Sequence, residues 1–475
     1  MGRVSTSRLV AGTVAASIAM LAWGGGSAAH ASSDEYNRGY TIGLRAYSYG
    51  LPLVTTNQTF RTMTSTNVSQ GAYGPVNTFN SVRSPNNAGS TTVVAPGATS
   101  LSSIAWLDLS DQPQVLHVPR VTDHDFVLAL IDPYTTNLVN LGTASSTPPG
   151  DYVVCDPAQR EVPLPTGTHR INVDYSRIWI IGSTQLKGTS DIPAVNAIQD
   201  QYTLTPLDNY VSGSTTTSAP GPTNPTITPY PAPTGLAFFD AMGEQLALFP
   251  PPARDAKALA AFASVGIGPG LTPSTDAHLS ADTLAGLAAA AAAGPAQIRN
   301  DTSALYATDF VRHNGYLLGG FGRYGIRYAE RAVISQVGLG AFTPHQAIYA
   351  MAWSDQKRKT LNGSHRYVLH MPKPPPTKEG WSLTVYNLQG GLMANPLNRY
   401  ALTNSSELSR NSDGSVDIYL QSTAPKKSSQ LSNWLPVSAG VGFEVTWRLF
   451  APRPASIPAI LDGSGWQPPA ISRRG

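Results

Sequence analysis

Three C-terminal runs place polar, hydrogen-bonding side chains at every second position. In residues 381–387, Ser382, Thr384 and Tyr386 alternate with Trp381, Leu383 and Val385. In 415–421, Asp417, Tyr419 and Gln421 alternate with Val416, Ile418 and Leu420. In 443–450, Glu444, Thr446 and Arg448 alternate with Phe443, Val445, Trp447 and Leu449. Period two puts each polar set on one sheet face and its apolar partners on the other. The candidate ligand-binding set is Tyr386, Arg399, Tyr400, Tyr419, Gln421, Trp434 and Arg448. Aromatic faces with planar donors suit a sugar ring or a polar organic molecule. The same pattern also describes a solvated outer face, with Asn433-Trp434-Leu435-Pro436 as a packed turn and Arg399 capping carbonyls.

Signals for catalysis are sparse. Asp417 and Glu444 could pair if their strands were neighbours, as glycoside hydrolysis requires of two carboxyls, with Arg448 and Arg399 as their alternative salt-bridge partners. No Gly-x-Ser-x-Gly elbow occurs, so the nucleophile turn of an α/β-hydrolase is missing. The 9 His form no His-Glu-x-x-His pair. His117, His124 and Asp125 could meet around a hairpin, but no metal site is expected. Gly320-Phe321-Gly322-Arg323-Tyr324-Gly325 matches Gly-x-Gly-x-x-Gly by letter. It lacks the preceding strand and following helix of a dinucleotide site, and no cofactor is expected. Cys155, the single cysteine, lies in an apolar run and reads as a buried small hydrophobe.

The 475 residues contain 32 Lys+Arg and 29 Asp+Glu, for a net charge of +3. Charged residues make up 13% and apolar ones 41%, which argues against disorder and gives no basic face for a nucleic-acid partner. Arg3 and Arg8, the apolar run 9–23 and Ala29-His30-Ala31 have the order of a secretory signal peptide cleaved near Ala31. The protein is therefore expected to be secreted or extracytoplasmic, with no transmembrane segment in the mature chain.

Behind the leader, 36–51 reads as a helix ended by Pro52. Short β-type runs follow at 104–109, 115–118, 126–131, 152–155 and 178–181, then a helix near 191–202. Residues 212–234 are rich in Pro, Ser and Thr and read as a linker. Helical runs follow at 236–248, 253–265, 281–313 (interrupted at Gly294-Pro295) and 328–337. The expected fold is mainly β, with two β-sandwich domains joined by a helical segment, α+β overall. The expected divisions are a leader at 1–31, an N-terminal β domain at 32–211, a linker at 212–235, a helical connector at 236–340 and a C-terminal β domain at 341–475.

Several stretches occur together in order. They include Ala46-Tyr47-Ser48-Tyr49-Gly50, Ala105-Trp106-Leu107-Asp108-Leu109, Gly150-Asp151-Tyr152 and Gln199-Asp200-Gln201-Tyr202. Arg366-Tyr367-Val368-Leu369-His370, Asn395-Pro396-Leu397-Asn398-Arg399-Tyr400, Asn433-Trp434-Leu435-Pro436 and Trp466-Gln467-Pro468-Pro469 follow. The series resembles the bacterial tandem domains of unknown function numbered 1254, in the N-terminal half, and 1214, in the C-terminal half. The resemblance implies a β-rich, often exported protein and carries no settled activity. Against the family pattern, Gly97 stands for Asn, Thr99 for Asp and Ser102 for Tyr, and polar groups are lost or weakened at Ala144 and Ser183. The reading is an exported protein that binds a small polar molecule or glycan in a cleft of its β domains. A secreted hydrolase using carboxylates or a dispersed triad, and a structural envelope module, are the alternatives.

Overall fold

A computed structural model describes residues 33–90, 95–214, 226–318 and 321–474. The expected leader, 1–31, lies outside them, as do residues 215–225 of the Pro-rich tract; residues 226–235 of that tract run without regular structure.

The chain opens with a long helix, α1 (Asp34–Met63), whose first turn is capped by the Ser33 hydroxyl accepting from the Tyr36 N–H at 3.1 Å. It runs through Pro52, where a helix end was expected. The missing N–H costs an isolated helix about 3 kcal/mol. Here both flanks pack tightly, and Ala46, Tyr49, Leu53 and Val54 are buried among the later helices. Pro52 therefore stays inside a continuous helix.

The N-terminal β region follows as β1 (Asn80–Ser81), β2 (Ser100–Asp108), β3 (Gln114–Val118), β4 (Phe126–Ile131), β5 (Asn137–Gly142), β6 (Gly150–Cys155), β7 (His169–Asn172) and β8 (Arg177–Gln185). Next come α2 (Ile192–Gln199), β9 (Thr203–Pro206) and α3 (Leu207–Ser212). One sheet has the order β1-β2-β8-β4-β5 and the other β7-β6-β3-β9. Side chains from both, including Leu107, Leu116, Leu128, Val154 and Ile180, share one hydrophobic cluster. Cys155 lies buried in β6, and burial raises its thiol pKa.

The middle region consists of α4 (Leu236–Leu248), α5 (Ala256–Ala263), α6 (Ala281–Arg312) and α7 (Tyr328–Val337). Like α1, α6 runs uninterrupted through its proline, Pro295. The two long helices pack on each other at very short range. A Cβ added to Gly286 would stand 2.3 Å from the Tyr36 carbonyl oxygen, and one on Gly39 2.6 Å from that of Thr283. Only glycine allows backbone to approach backbone this closely. Phe238, Phe239, Met242, Phe262, Leu287 and Val333 complete the helical core.

The C-terminal β region comprises β10 (Ala347–Ala352), β11 (Arg366–Met371), β12 (Thr377–Asn387), β13 (Ala401–Thr403), β14 (Val416–Gln421), β15 (Trp434–Pro436), β16 (Phe443–Pro452), α8 (Ile457–Asp462) and β17 (Ile471–Arg474). Its sheets have the orders β10-β16-β12-β13 and β15-β14-β11-β17. Trp381, Leu383, Val445, Trp447, Ile418 and Leu420 fill the cluster that both sheets share.

The β2-β8-β4 sheet is apolar on both faces. Ala105, Leu107, Ile178 and Ile180 point to the N-terminal core. On the reverse face, Ile104, Trp106, Ala129 and Trp179 pack with Met63 of α1 and with Phe342 and Ala347, and Phe450 of β16 leans on them. Trp106 and Trp179 stack with ring centroids 4.8 Å apart. The two β regions therefore meet along this face and along the reverse face of the β10-β16-β12-β13 sheet. No helix among the described residues is long and apolar enough to cross a membrane.

Candidate functional site

Strand register explains how the polar ribs are placed. Tyr386 pairs with Glu444, Thr384 with Thr446 and Ser382 with Arg448 across β12 and β16. Trp381, Leu383, Val445 and Trp447 point to the C-terminal core, so the polar set must point the other way, toward the N-terminal region. That face is not solvated. Ser382, Thr384 and Tyr386 are buried, as are Glu444 and Thr446.

A cavity of about 190 Å³ lies where this face meets the N-terminal sheet. Its apolar walls include Ile104, Trp179, Ile181, Phe342, Tyr349 and Phe450. Its polar wall includes Thr446 and Arg448, with Ser100, Ser102 and Ser183 opposite. Arg448 is half-buried. One Nη donates to the Ala95 carbonyl at 2.9 Å, and the other reaches the Thr384 hydroxyl at 3.4 Å. Its Cζ lies 5.5 Å from the ring centroid of Tyr386 and 5.9 Å from that of Tyr349. Tyr386 donates its hydroxyl to the Pro96 carbonyl at 2.8 Å. These two side chains of the C-terminal domain thus hold the 95–96 segment over the cavity. Among the described residues, no carboxylate lies within 4.0 Å of the Arg448 guanidinium. Thr446 Oγ1 and Trp179 Nε1, both buried, have no hydrogen-bond partner there.

Glu444 lies on the same sheet face as Arg448. Burial pushes its carboxyl up to about 7, against the opposing effects of a hydrogen bond with Trp353 and the charge of Arg448. At the edge of the domain junction, Glu379 is raised to about 7 by burial and then by the charge of Asp125, and burial also raises Asp125.

The seven candidate residues do not form one site. Tyr386 and Arg448 flank the cavity. Tyr400 lines a separate open groove of about 700 Å³ with Asn86, Asn87, Lys187 and Asn398, and its hydroxyl donates to Asn398 at 3.0 Å. The other four gather where β14 pairs with β15, and there they serve local structure. Arg399 donates to the Leu431 and Trp434 carbonyls at 2.8 and 3.0 Å. Trp434 donates its indole N–H to the Gln421 carbonyl at 2.9 Å. Gln421 turns back to the Thr423 carbonyl at 2.6 Å, and the Tyr419 hydroxyl accepts from Gln430 at 3.0 Å.

Asp417 and Glu444 do not form a pair, because β14 and β16 belong to different sheets. Asp417 instead binds His370 at 2.7 Å. His117 and His124 do not meet either, since His117 binds Asp151 at 2.6 Å and His124 reaches Asp191 at 3.0 Å. Among the described residues, no group of three His, Cys, Asp or Glu could hold a metal ion.

The positions that depart from the family pattern fall in telling places. Gly97, Thr99, Ser102 and Ser183 all line the 190 Å³ cavity. Ala144 lines a different groove with Asn140, Arg323 and His345. Gly97, Thr99, Ser102 and Ser183 thus form a small-residue part of the N-terminal wall, and the C-terminal wall supplies the cavity's only guanidinium among the described residues. Trp179 and Thr446 were missed as site residues. The signal for Trp179 was available: residues 178–181 are apolar at every position, as expected of a strand covered on both faces.

The architecture defines a protein with two β regions and a helical body, with its candidate site between the β regions. The chain belongs to the proteins that carry the protein of unknown function DUF1254, matched at 76–206, followed by the protein of unknown function DUF1214, matched at 346–454. Its fold is similar to that of the VPA0106 protein from Vibrio parahaemolyticus, at 21% identity and a TM-score of 0.64, covering 92% of this chain and 100% of that one. An uncharacterized protein from Burkholderia cenocepacia matches at 12% identity and a TM-score of 0.43, covering 93% of this chain and 94% of that one. No curated protein matches the chain.

Proposed function

We propose that this is an exported binding protein that holds a small organic anion, about the size of one aromatic ring, between its two β regions. The observation that carries the reading is Arg448, a half-buried guanidinium lining a cavity with no carboxylate within 4.0 Å among the described residues. A half-buried guanidinium with no ion pair would be stabilised by an anionic ligand, most of all below about pH 7, where Glu444 on the same face is protonated. The volume agrees: a cavity of about 150 Å³ admits benzene, and this one is about 190 Å³. Trp179, Phe342 and Tyr349 supply aromatic surface for a ring, and Thr446 Oγ1 and Trp179 Nε1 are without hydrogen-bond partners among the described residues. Each pair of sheets sharing a core is read as a β-sandwich. Export rests on the basic-then-apolar N-terminal run.

A glycan-like ligand has a second candidate place, the open groove in which Tyr400 stands among the amides of Asn86, Asn87 and Asn398. Thermal-shift titration separates these readings. Benzoate is expected to raise the Tm in a saturable way, whereas benzyl alcohol and soluble oligosaccharides leave it unchanged. A Tm that responds to oligosaccharides and not to benzoate overturns the anion reading. Turnover of an ester or glycoside panel by the wild-type chain would favour the hydrolase alternative.

A further inference from the structure

We infer that a second site, on the helical body, binds the anion of a straight-chain carboxylic acid. A groove of about 760 Å³ runs between α1, α5 and α6 and the start of α7. Its apolar lining includes Leu44, Ala258, Ala261 and Phe262, with Ile326, 66% exposed, at the rim. The walls carry three cations, Arg45, Arg254 and Lys257, against one carboxylate, Asp301.

That carboxylate is engaged by Gln297 Nε2 at 2.8 Å. Arg254 has Asp255 at 4.0 Å, but Asp255 is buried and already accepts from the Tyr49 and Tyr328 hydroxyls at 2.9 and 2.6 Å. Arg45 and Lys257 are exposed, with no carboxylate within 4.0 Å among the described residues. An apolar trough flanked by cations without counter-ions matches a molecule with an alkyl tail and an anionic head. Each methylene laid on the apolar lining leaves water and adds to the affinity. The head group then selects by charge: a carboxylate is favoured, a neutral head gains only the tail's contribution, and a cationic head is repelled.

Three probes with the same ten-carbon tail test this by calorimetric titration below their micelle concentrations: decanoate, decyl maltoside and decyltrimethylammonium. Decanoate is expected to bind one to one and at least tenfold tighter than either of the others. The variant Arg45→Glu/Lys257→Glu is expected to lose at least tenfold in decanoate affinity and to gain affinity for decyltrimethylammonium. Both substituted positions are exposed. If the double variant loses its thermal transition, Lys257→Glu alone carries the test, with the same direction and a smaller loss. Saturating benzoate is expected to leave decanoate affinity unchanged, which separates this site from the interdomain cavity. Equal binding of the three probes, or undiminished decanoate affinity in the charge-reversed variants, overturns the inference.

Discussion

Replacing Glu444 by Gln should stabilise the protein at alkaline pH and leave it almost unchanged at pH 5. Glu444 is 7% exposed, and burial lifts its carboxyl from 4.5 to about 7. Between those values the folded chain holds a proton that the unfolded chain has released, so stability falls as pH rises. The loss begins near pH 4.5, is largely complete above pH 7, and reaches at most about 3.5 kcal/mol at roughly 1.4 kcal/mol per pKa unit. Gln keeps an acceptor for Trp353 and has no charge to desolvate. Urea denaturation of wild type and Glu444→Gln at pH 5 and pH 8.5 measures the effect. Asp132 and Glu379 are also raised to about 7, mainly by burial. They add a slope of the same sign to both proteins, so the difference between the two curves isolates Glu444. The variant should gain 1–3 kcal/mol over wild type at pH 8.5, about the usual range for relieving a buried charge. A gap that does not widen between the two pH values refutes the reasoning.

Benzoate affinity should fall as pH rises through about 7, because ionised Glu444 then competes for Arg448; calorimetry on Glu444→Gln should show a flatter profile. Ser102→Tyr places a phenol in the cavity that Ser102 lines, so benzoate binding should disappear in the same titration. Gly340→Ala should lower the Tm by several degrees. The backbone there has φ +78, and an added Cβ would lie 2.3 Å from Ile181 Cδ1, a combination that costs on the order of 1–3 kcal/mol. Gly286→Ala should also lower the Tm, because its Cβ would meet the Tyr36 carbonyl oxygen at 2.3 Å and push α1 from α6.

Local pattern revealed the strands and their two faces but not what each face meets. Residues 381–387, 415–421 and 443–450 alternate in the same way. In β14 the polar set is half-exposed on the outer face of its sheet, whereas in β12 and β16 it is mostly buried against the N-terminal β region. Period two separates two faces and says nothing of whether water or protein covers either. The prolines illustrate the same limit. Pro52 and Pro295 read as helix breaks, yet α1 and α6 are continuous because their mutual packing outweighs a local penalty. The cavity itself depends on contacts between residues more than 200 positions apart, such as Tyr386 with Pro96 and Arg448 with Ala95. Gly97, Thr99, Ser102 and Ser183 could be singled out in the sequence, but only the fold places all four on one cavity wall.

A crystal soaked with 4-bromobenzoate tests the interdomain site most directly. The expected result is an anomalous bromine peak beside Trp179 and Phe342, with the carboxylate within hydrogen-bond distance of the Arg448 guanidinium, and no such peak in Arg448→Met crystals. Bromine bound elsewhere with this cavity empty, or the same peak retained in Arg448→Met, would contradict it.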